Sequence, residues 1–116
     1  MSDYALSVIV PVHNSEKTLE VTLNSLLKQT FLSRQIGKME IFLVDDASTD
    51  HSFAIMKQLE EENPEHIRII KLQENMGPGG ARNRALDLAQ GEYIGMVDSD
   101  DLIDPEMYEK LYLAAI

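Results

Sequence analysis

The chain has 116 residues, which suits one domain able to bury roughly two thirds of its unfolded surface. It has no cysteine, so disulfides and thiolate metal sites are excluded, and its net charge of -10 argues against nucleic acid as a partner, because phosphate binding runs on Lys and Arg. The opening MSDYALSVIVPVHN has an acid and no basic segment ahead of a short apolar run, unlike a signal peptide, and no apolar stretch approaches the ~18 to 20 residues of a membrane helix; a cytoplasmic chain is expected.

Residues 6–12, LSVIVPV, are rich in β-branched side chains and predict a buried strand. Leu19, Leu23, Leu26 and Leu27 then recur at helical spacing, predicting a helix over 15–29 capped by Asn14 or Ser15. The segment 30–38, TFLSRQIGK, reads as the most flexible loop. MEIFLVD, 39–45, predicts a second strand. Ser48, Thr49 and Asp50 offer a helix start, Phe53, Met56 and Leu59 share a face, and Asn63-Pro64 ends that helix. IRIIKL, 67–72, predicts a third strand, NMGPGG, 75–80, a loop, and 81–90 a third helix closed by Gly91. YIGMVD, 93–98, predicts a fourth strand. Asp104-Pro105-Glu106 then reads as a cap, a first-position proline and a first-turn acid of a last helix. Met56, Met96 and Met107 read most simply as core.

This βαβαβαβα order predicts one α/β domain with a mostly parallel four-stranded sheet, right-handed crossovers and helices on both faces. The first strand should be central, between the second and the fourth. Ligands of such sheets bind outside the carboxyl ends of the strands. Polar groups collect there: His13 and Asn14 after the first strand, Asp45 and Asp46 at the second, Glu74, Asn75 and the glycines after the third, and Asp98, Asp100 and Asp101 at the fourth.

Carboxylates this close repel unless a cation, a hydrogen-bond donor or water compensates. Hard divalent cations such as Mg2+ or Mn2+ favour such oxygens and commonly keep water or phosphate as further ligands. Asp98 and Asp100 fit that use, although acids here also cap helices, the simplest reading of Asp104. MGPGGARNRA resembles a dinucleotide fingerprint only loosely: Gly77 and Gly79 match G-x-G, but Arg82 replaces the last glycine. It reads as a tight turn feeding a helix, or as a close backbone approach in which Arg82 offsets a diphosphate.

SVIVPVHNSEKTLEVTLNSLLKQT, EIFLVDDASTD and NMGPGGARNRALDLAQGEYIGMVDSDD, in that order, resemble the start of a family 2 glycosyltransferase with a GT-A fold, over about residues 6–112. The resemblance implies a Rossmann-like nucleotide-binding half. It implies metal-dependent, inverting transfer of a sugar from a nucleotide-diphosphate donor, often a UDP-sugar, to an acceptor hydroxyl on a glycan or lipid-linked molecule. Pro11, His13 and Asn14 match the first nucleotide-contacting segment. Asp46, or its neighbour Asp45, matches the acid that recognises the base. Gly79 and Arg82 match the segment beside the donor. Asp98-Ser99-Asp100 match D-x-D, whose first acid lies near the ribose and whose last ligates Mn2+ or Mg2+.

Position 13 is His where the family often has an aromatic, and 30–38 is longer than usual. The family's acceptor-binding half and catalytic base lie beyond the last helix seen here, and a hydroxyl nucleophile needs such a base. The expectation is therefore the donor-binding half of a longer enzyme, or a naturally short relative. Peripheral association with the inner membrane face through other regions and self-association through exposed apolar surface are expected as well. A phospho-receiver domain is a rival, since FLVDDAS looks like its paired acids; but that pair belongs after a receiver's first strand, and the late-strand lysine is missing. A nucleotidyltransferase or a non-catalytic nucleotide-binding module is the other.

Overall fold

The computed structural model describes residues 3–116. In chain order the elements are β1 (Leu6–Val12), α1 (Leu19–Leu27), α2 (Thr30–Ser33), β2 (Met39–Asp45), α3 (Ser52–Glu62), β3 (Ile67–Lys71), α4 (Gly77–Leu86), β4 (Tyr93–Met96) and α5 (Met107–Ala115). The four strands form one sheet in the order β3-β2-β1-β4, with every neighbouring pair parallel. The first strand is central, as its apolar run and the shared crevice require.

The near-continuous apolar runs of β1 and β2 reflect burial on both faces. Val8, Val10 and Val12 point to one side, against Leu19, Leu23 and Leu26 of α1, Met56 and Leu59 of α3, Phe31 of α2 and Tyr108 of α5. Ile9, Phe42 and Val44 point to the other, where Ala81 and Ala85 of α4 pack. Helices cover both faces unequally: four lie on one side and α4 alone on the other. The small alanines let α4 lie close to the sheet.

Several predicted boundaries move. The first helix begins at Leu19, after a turn in which the Ser15 carbonyl accepts the Thr18 and Leu19 N–H groups. The 30–38 segment is built around a side chain: Phe31 is fully buried and meets the Tyr112 ring edge-on at 5.3 Å. The glycine segment is the first turn of α4 rather than a loop ahead of it, and Gly77 takes φ +75°, a backbone angle that favours glycine. Gly91 closes no helix, since α4 ends five residues earlier. A Cβ there would stand 2.5 Å from the Ser7 backbone nitrogen, so glycine is needed for close approach.

The fourth strand leaves the sheet at Met96, although the Val97 N–H still bonds the Ile9 carbonyl at 3.0 Å. The last helix starts at Met107, while Asp104 Oδ1 accepts the Glu106 N–H at 2.8 Å. Met56 is core, but Met96 is 46% exposed on the β4 edge beside Ile94 at 44%. Among the described residues no helix is long and apolar enough to cross a membrane.

Candidate functional site

A cleft of about 820 Å³ opens at the carboxyl ends of the strands, within the range of small-molecule sites. Its walls come from four segments. Pro11 to Thr18 end and follow β1, Asp46 and Asp50 follow β2, Asn75, Gly77 and Pro78 lead into α4, and Asp98, Ser99 and Asp100 follow β4.

The first two segments are sewn together by Asn14, at φ +50°. Its Oδ1 accepts the Thr49 and Asp50 N–H groups at 2.8 and 3.3 Å, and its own N–H donates to Ser48 Oγ at 3.0 Å. Asn14 caps no helix; it joins two strand-end loops. Asp50 also receives the Glu16 N–H at 3.2 Å and the Ser52 N–H at 2.8 Å. Burial pushes the Asp50 carboxyl up, but hydrogen bonds from the Ser52 hydroxyl and these N–H groups outweigh it, and its pKa is lowered.

Asp46 links β2 to α4. Its carboxylate is buried and accepts the Met76 N–H at 2.6 Å and the Gly77 N–H at 2.9 Å, so it supplies an anion to the amino end of that helix. The Asp46 carbonyl lies 2.7 Å from His13 Nδ1. A carbonyl only accepts, so Nδ1 carries a proton, and Nε2 lies 3.4 Å from Asn75 Nδ2. His13 thereby ties the ends of β1 and β2 to the segment after β3.

The two neighbouring acids differ. Asp45 is buried away from the cleft, its Oδ1 accepting the Ser48 N–H at 3.1 Å, and among the described residues no group partners its Oδ2. Asp46 faces the cleft. Gly79 and Arg82 lie on α4 outside the cleft lining, and a Cβ on Gly79 would meet nothing within 4 Å.

Ser99 is anchored rather than free. Its Oγ lies 2.5 Å from Ser15 Oγ, and its carbonyl accepts the Thr18 and Thr22 hydroxyls at 2.9 and 3.0 Å. Asp98, Asp100 and Asp101 are exposed around it, each offering a carboxylate oxygen within 4.8 Å of the others. Opposite ligands of one Mg2+ stand ~4.2 Å apart. An anionic, all-oxygen set of this size fits a hard divalent cation, and its exposure leaves room for water or phosphate oxygens. Asp101 also accepts the Asp98 N–H at 3.2 Å, which holds the turn closed.

Among the wall residues not singled out from the sequence are Glu16, Lys17 and Thr18. Lys17 is a cation on an otherwise acidic wall. A signal for Thr18 existed in the polar residues recurring three and four apart beside the leucines of α1.

A parallel α/β sheet with a polar cleft at its strand ends is a ligand-binding architecture that GT-A folds share with other doubly wound folds. The sequence profile of glycosyl transferase family 2 matches residues 7–116, and the chain belongs to that family rather than to the receivers that FLVDDAS resembles. It is 39% identical over 111 residues to the Uncharacterized glycosyltransferase YibD of Escherichia coli K12, a match covering 96% of this chain and 30% of YibD. It is 44% identical over 101 residues to the poly(ribitol-phosphate) beta-N-acetylglucosaminyltransferase TarS of Staphylococcus aureus Mu50, over 86% of this chain and 17% of TarS. Among solved structures, S. aureus TarS 1–349 in complex with UDP-GlcNAc matches with a TM-score of 0.82 at 40% identity, over 94% of this chain and 30% of that one. The mannosyltransferase PcManGT of Pyrobaculum calidifontis, in complex with GDP-Man and Mn2+, matches with a TM-score of 0.81 at 26% identity, over 99% of this chain and 33% of that one. The chain thus spans a third or less of the length of these relatives.

Proposed function

We propose that this chain is the donor-binding half of a glycosyltransferase, holding a nucleotide-diphosphate sugar in the cleft for inverting transfer to a hydroxyl on a glycan or lipid-linked acceptor. The observation that carries this is the convergence of Asp46, His13, Asn14 and the D-x-D acids on one cleft. Complexes of similar proteins with UDP-GlcNAc and with GDP-Man and Mn2+ support it. The Asp46 carboxylate, fixed by two backbone donors, keeps lone pairs to accept an N–H from the base. His13 is held by its Nδ1 hydrogen bond beside that position. Asp100 would hold Mn2+ or Mg2+ with Asp98 and Asp101 gathered beside it, Asp98 on the side of the ribose. When bound, the metal offsets the charge that builds on the departing diphosphate. No residue of this cleft is assigned as catalytic base or as acceptor surface. The protein works in the cytoplasm, at the inner membrane face where lipid-linked acceptors are reached.

Calorimetry with UDP tests the reading: Mn2+ should strengthen binding, and Asp100→Ala should abolish the gain. Equal affinity with and without Mn2+ overturns the metal assignment. With a radiolabelled UDP-sugar, the 116-residue chain should transfer nothing; transfer to an acceptor would require a base among the residues already present. Ile94 and Met96 on the open β4 edge favour self-association of this chain, and a purely monomeric sedimentation profile at high concentration would refute it.

A further inference from the structure

Facing residues 99–108, α1 and the turns flanking it carry polar side chains at 15, 18, 22, 25 and 29, three and four apart, in step with the buried leucines. Each meets that segment. Ser15 contacts the Ser99 hydroxyl, and Thr18 and Thr22 donate to the Ser99 carbonyl. Ser25 Oγ accepts the Ile103 N–H at 3.2 Å. Gln29, fully buried, donates to the Asp104 carbonyl at 2.5 Å and accepts the Tyr108 N–H at 3.1 Å.

These bonds go to main-chain atoms of the segment that bears the acids, except at the Ser15–Ser99 hydroxyl pair. The Ser99 carbonyl has both lone pairs filled by threonine hydroxyls. Its neighbours Asp98, Asp100 and Asp101 are left without a helix or strand to fix them, since β4 ends at Met96 and α5 begins at Met107. Carboxylates that repel one another would otherwise spread apart, and a metal site held loosely loses affinity to the cost of gathering its ligands.

We propose that Thr22, with Thr18, is a positioning residue for the acid cluster: the α1 hydroxyls clamp the Ser99 carbonyl so that the three flanking carboxylates stay gathered for a divalent cation. This rests on the donor-site reading for the identity of the ligand, but the clamp can be tested without it. Thr22 is 1% exposed, so Thr22→Val keeps its volume and removes only the hydroxyl.

The first measurement is UDP affinity with and without Mn2+. In Thr22→Val the Mn2+-dependent gain should fall about threefold to tenfold, as loss of one buried hydrogen bond implies. Affinity without metal should stay within about twofold, and Thr22→Ser should restore the gain. The second is amide hydrogen exchange without ligand. Asp98 and Asp101, whose N–H groups close the turn at 3.2 and 3.1 Å, should exchange faster in Thr22→Val while Ile41 and Leu43 of β2 keep wild-type rates, and Thr22→Ser should reverse the change. Wild-type exchange at Asp98 and Asp101 in a folded Thr22→Val overturns the proposal. If the wild-type chain shows no Mn2+-dependent gain, the donor-site reading fails and the exchange comparison alone decides the clamp. If Thr22→Val does not fold, Thr18→Val, at the less buried helix flank, carries the exchange measurement, and wild-type exchange there overturns the proposal.

Discussion

Asp45 and Asp46 are adjacent, both buried, and chemically identical, yet neutralising each should have opposite consequences. Asp46 accepts two backbone N–H groups, at 2.6 and 2.9 Å, at the amino end of α4. Asp46→Asn keeps one carbonyl oxygen for one of them and turns an NH2 group toward the other. The loss is one charge-assisted hydrogen bond, about 1.5–3 kcal/mol, plus the interaction of a negative charge with the helix terminus, about 0.3–1 kcal/mol. A destabilisation of about 2–4 kcal/mol follows, a large share of the ~5–15 kcal/mol that holds a domain together. Asp45 differs in that Oδ1 takes a single N–H, from Ser48, and Oδ2 has no partner among the described residues. Asp45→Asn removes a buried charge while leaving that bond in place, so stability should stay within about 0.5 kcal/mol or rise. Urea unfolding of the two variants beside wild type measures both, with an unchanged m-value certifying the same extent of unfolding. Equal shifts for the two, or a loss below about 0.5 kcal/mol in Asp46→Asn, would refute the cap and leave only the bulk charge of an acidic chain as the explanation.

Glu40 is buried in β2, where its Oε2 accepts the Ser7 hydroxyl at 2.6 Å and the Gln90 N–H at 2.7 Å; Glu40→Ala strands both donors and should cost about 3 kcal/mol in urea unfolding. At Gly91, Ala would press a Cβ into the β1 backbone, 2.5 Å from the Ser7 nitrogen, and should cost about 1–3 kcal/mol by the same measure. Tyr108 has its pKa pushed up to about 12 by burial. The unfolded chain gives up that proton near pH ~10, so stability should fall as pH rises from there toward 12, and Tyr108→Phe should flatten that limb of the pH–stability curve.

The fold was largely legible because β1 and β2 are apolar along nearly their whole length, a pattern that buried parallel strands share with few alternatives. The misplaced boundaries have physical causes. Polar residues at 15–18 look like a helical first turn, but their hydrogen bonds go to α3 and to Ser99 instead. The glycines at 77, 79 and 80 read as helix breakers, yet the Asp46 carboxylate supplies a cap from a distant strand, which no local pattern reveals. TFLSRQIGK reads as a loop because Phe31 is its one fully buried apolar side chain, with Leu32 and Ile36 only partly buried against the same core. The site residues divide the same way. Asp98 and Asp100 were visible as an acid pair leaving a strand. The separation of Asp46 from Asp45 was not, because it depends on which way the chain turns after β2, and neither was the position of Arg82 outside the cleft, because that follows from α4 starting four residues earlier than its apolar pattern indicates.

The crowding of acids at one rim has a consequence for how ligands enter. Glu16, Asp46, Asp50, Asp98 and Asp100 line the cleft, opposed by Lys17 alone among its lysine and arginine side chains. A diphosphate carries several negative charges, so on the donor reading the metal-free cleft repels its own ligand over the length that salt leaves unscreened, ~8–10 Å at ordinary ionic strength. A divalent cation at the Asp98–Asp101 cluster offsets two of its three negative charges and gives the diphosphate oxygens a cation to coordinate directly. By linkage, whatever factor the cation contributes to nucleotide affinity, the nucleotide contributes to cation affinity. Mn2+ alone should therefore bind weakly, because three exposed carboxylates leave much of its shell to water, and tightly only with the diphosphate present. Titrating Mn2+ by its electron paramagnetic resonance signal, with and without saturating UDP, measures that factor directly; calorimetry of UDP with and without Mn2+ must return the same value. Mn2+ affinity that ignores UDP would mean that the cluster and the cleft are separate sites.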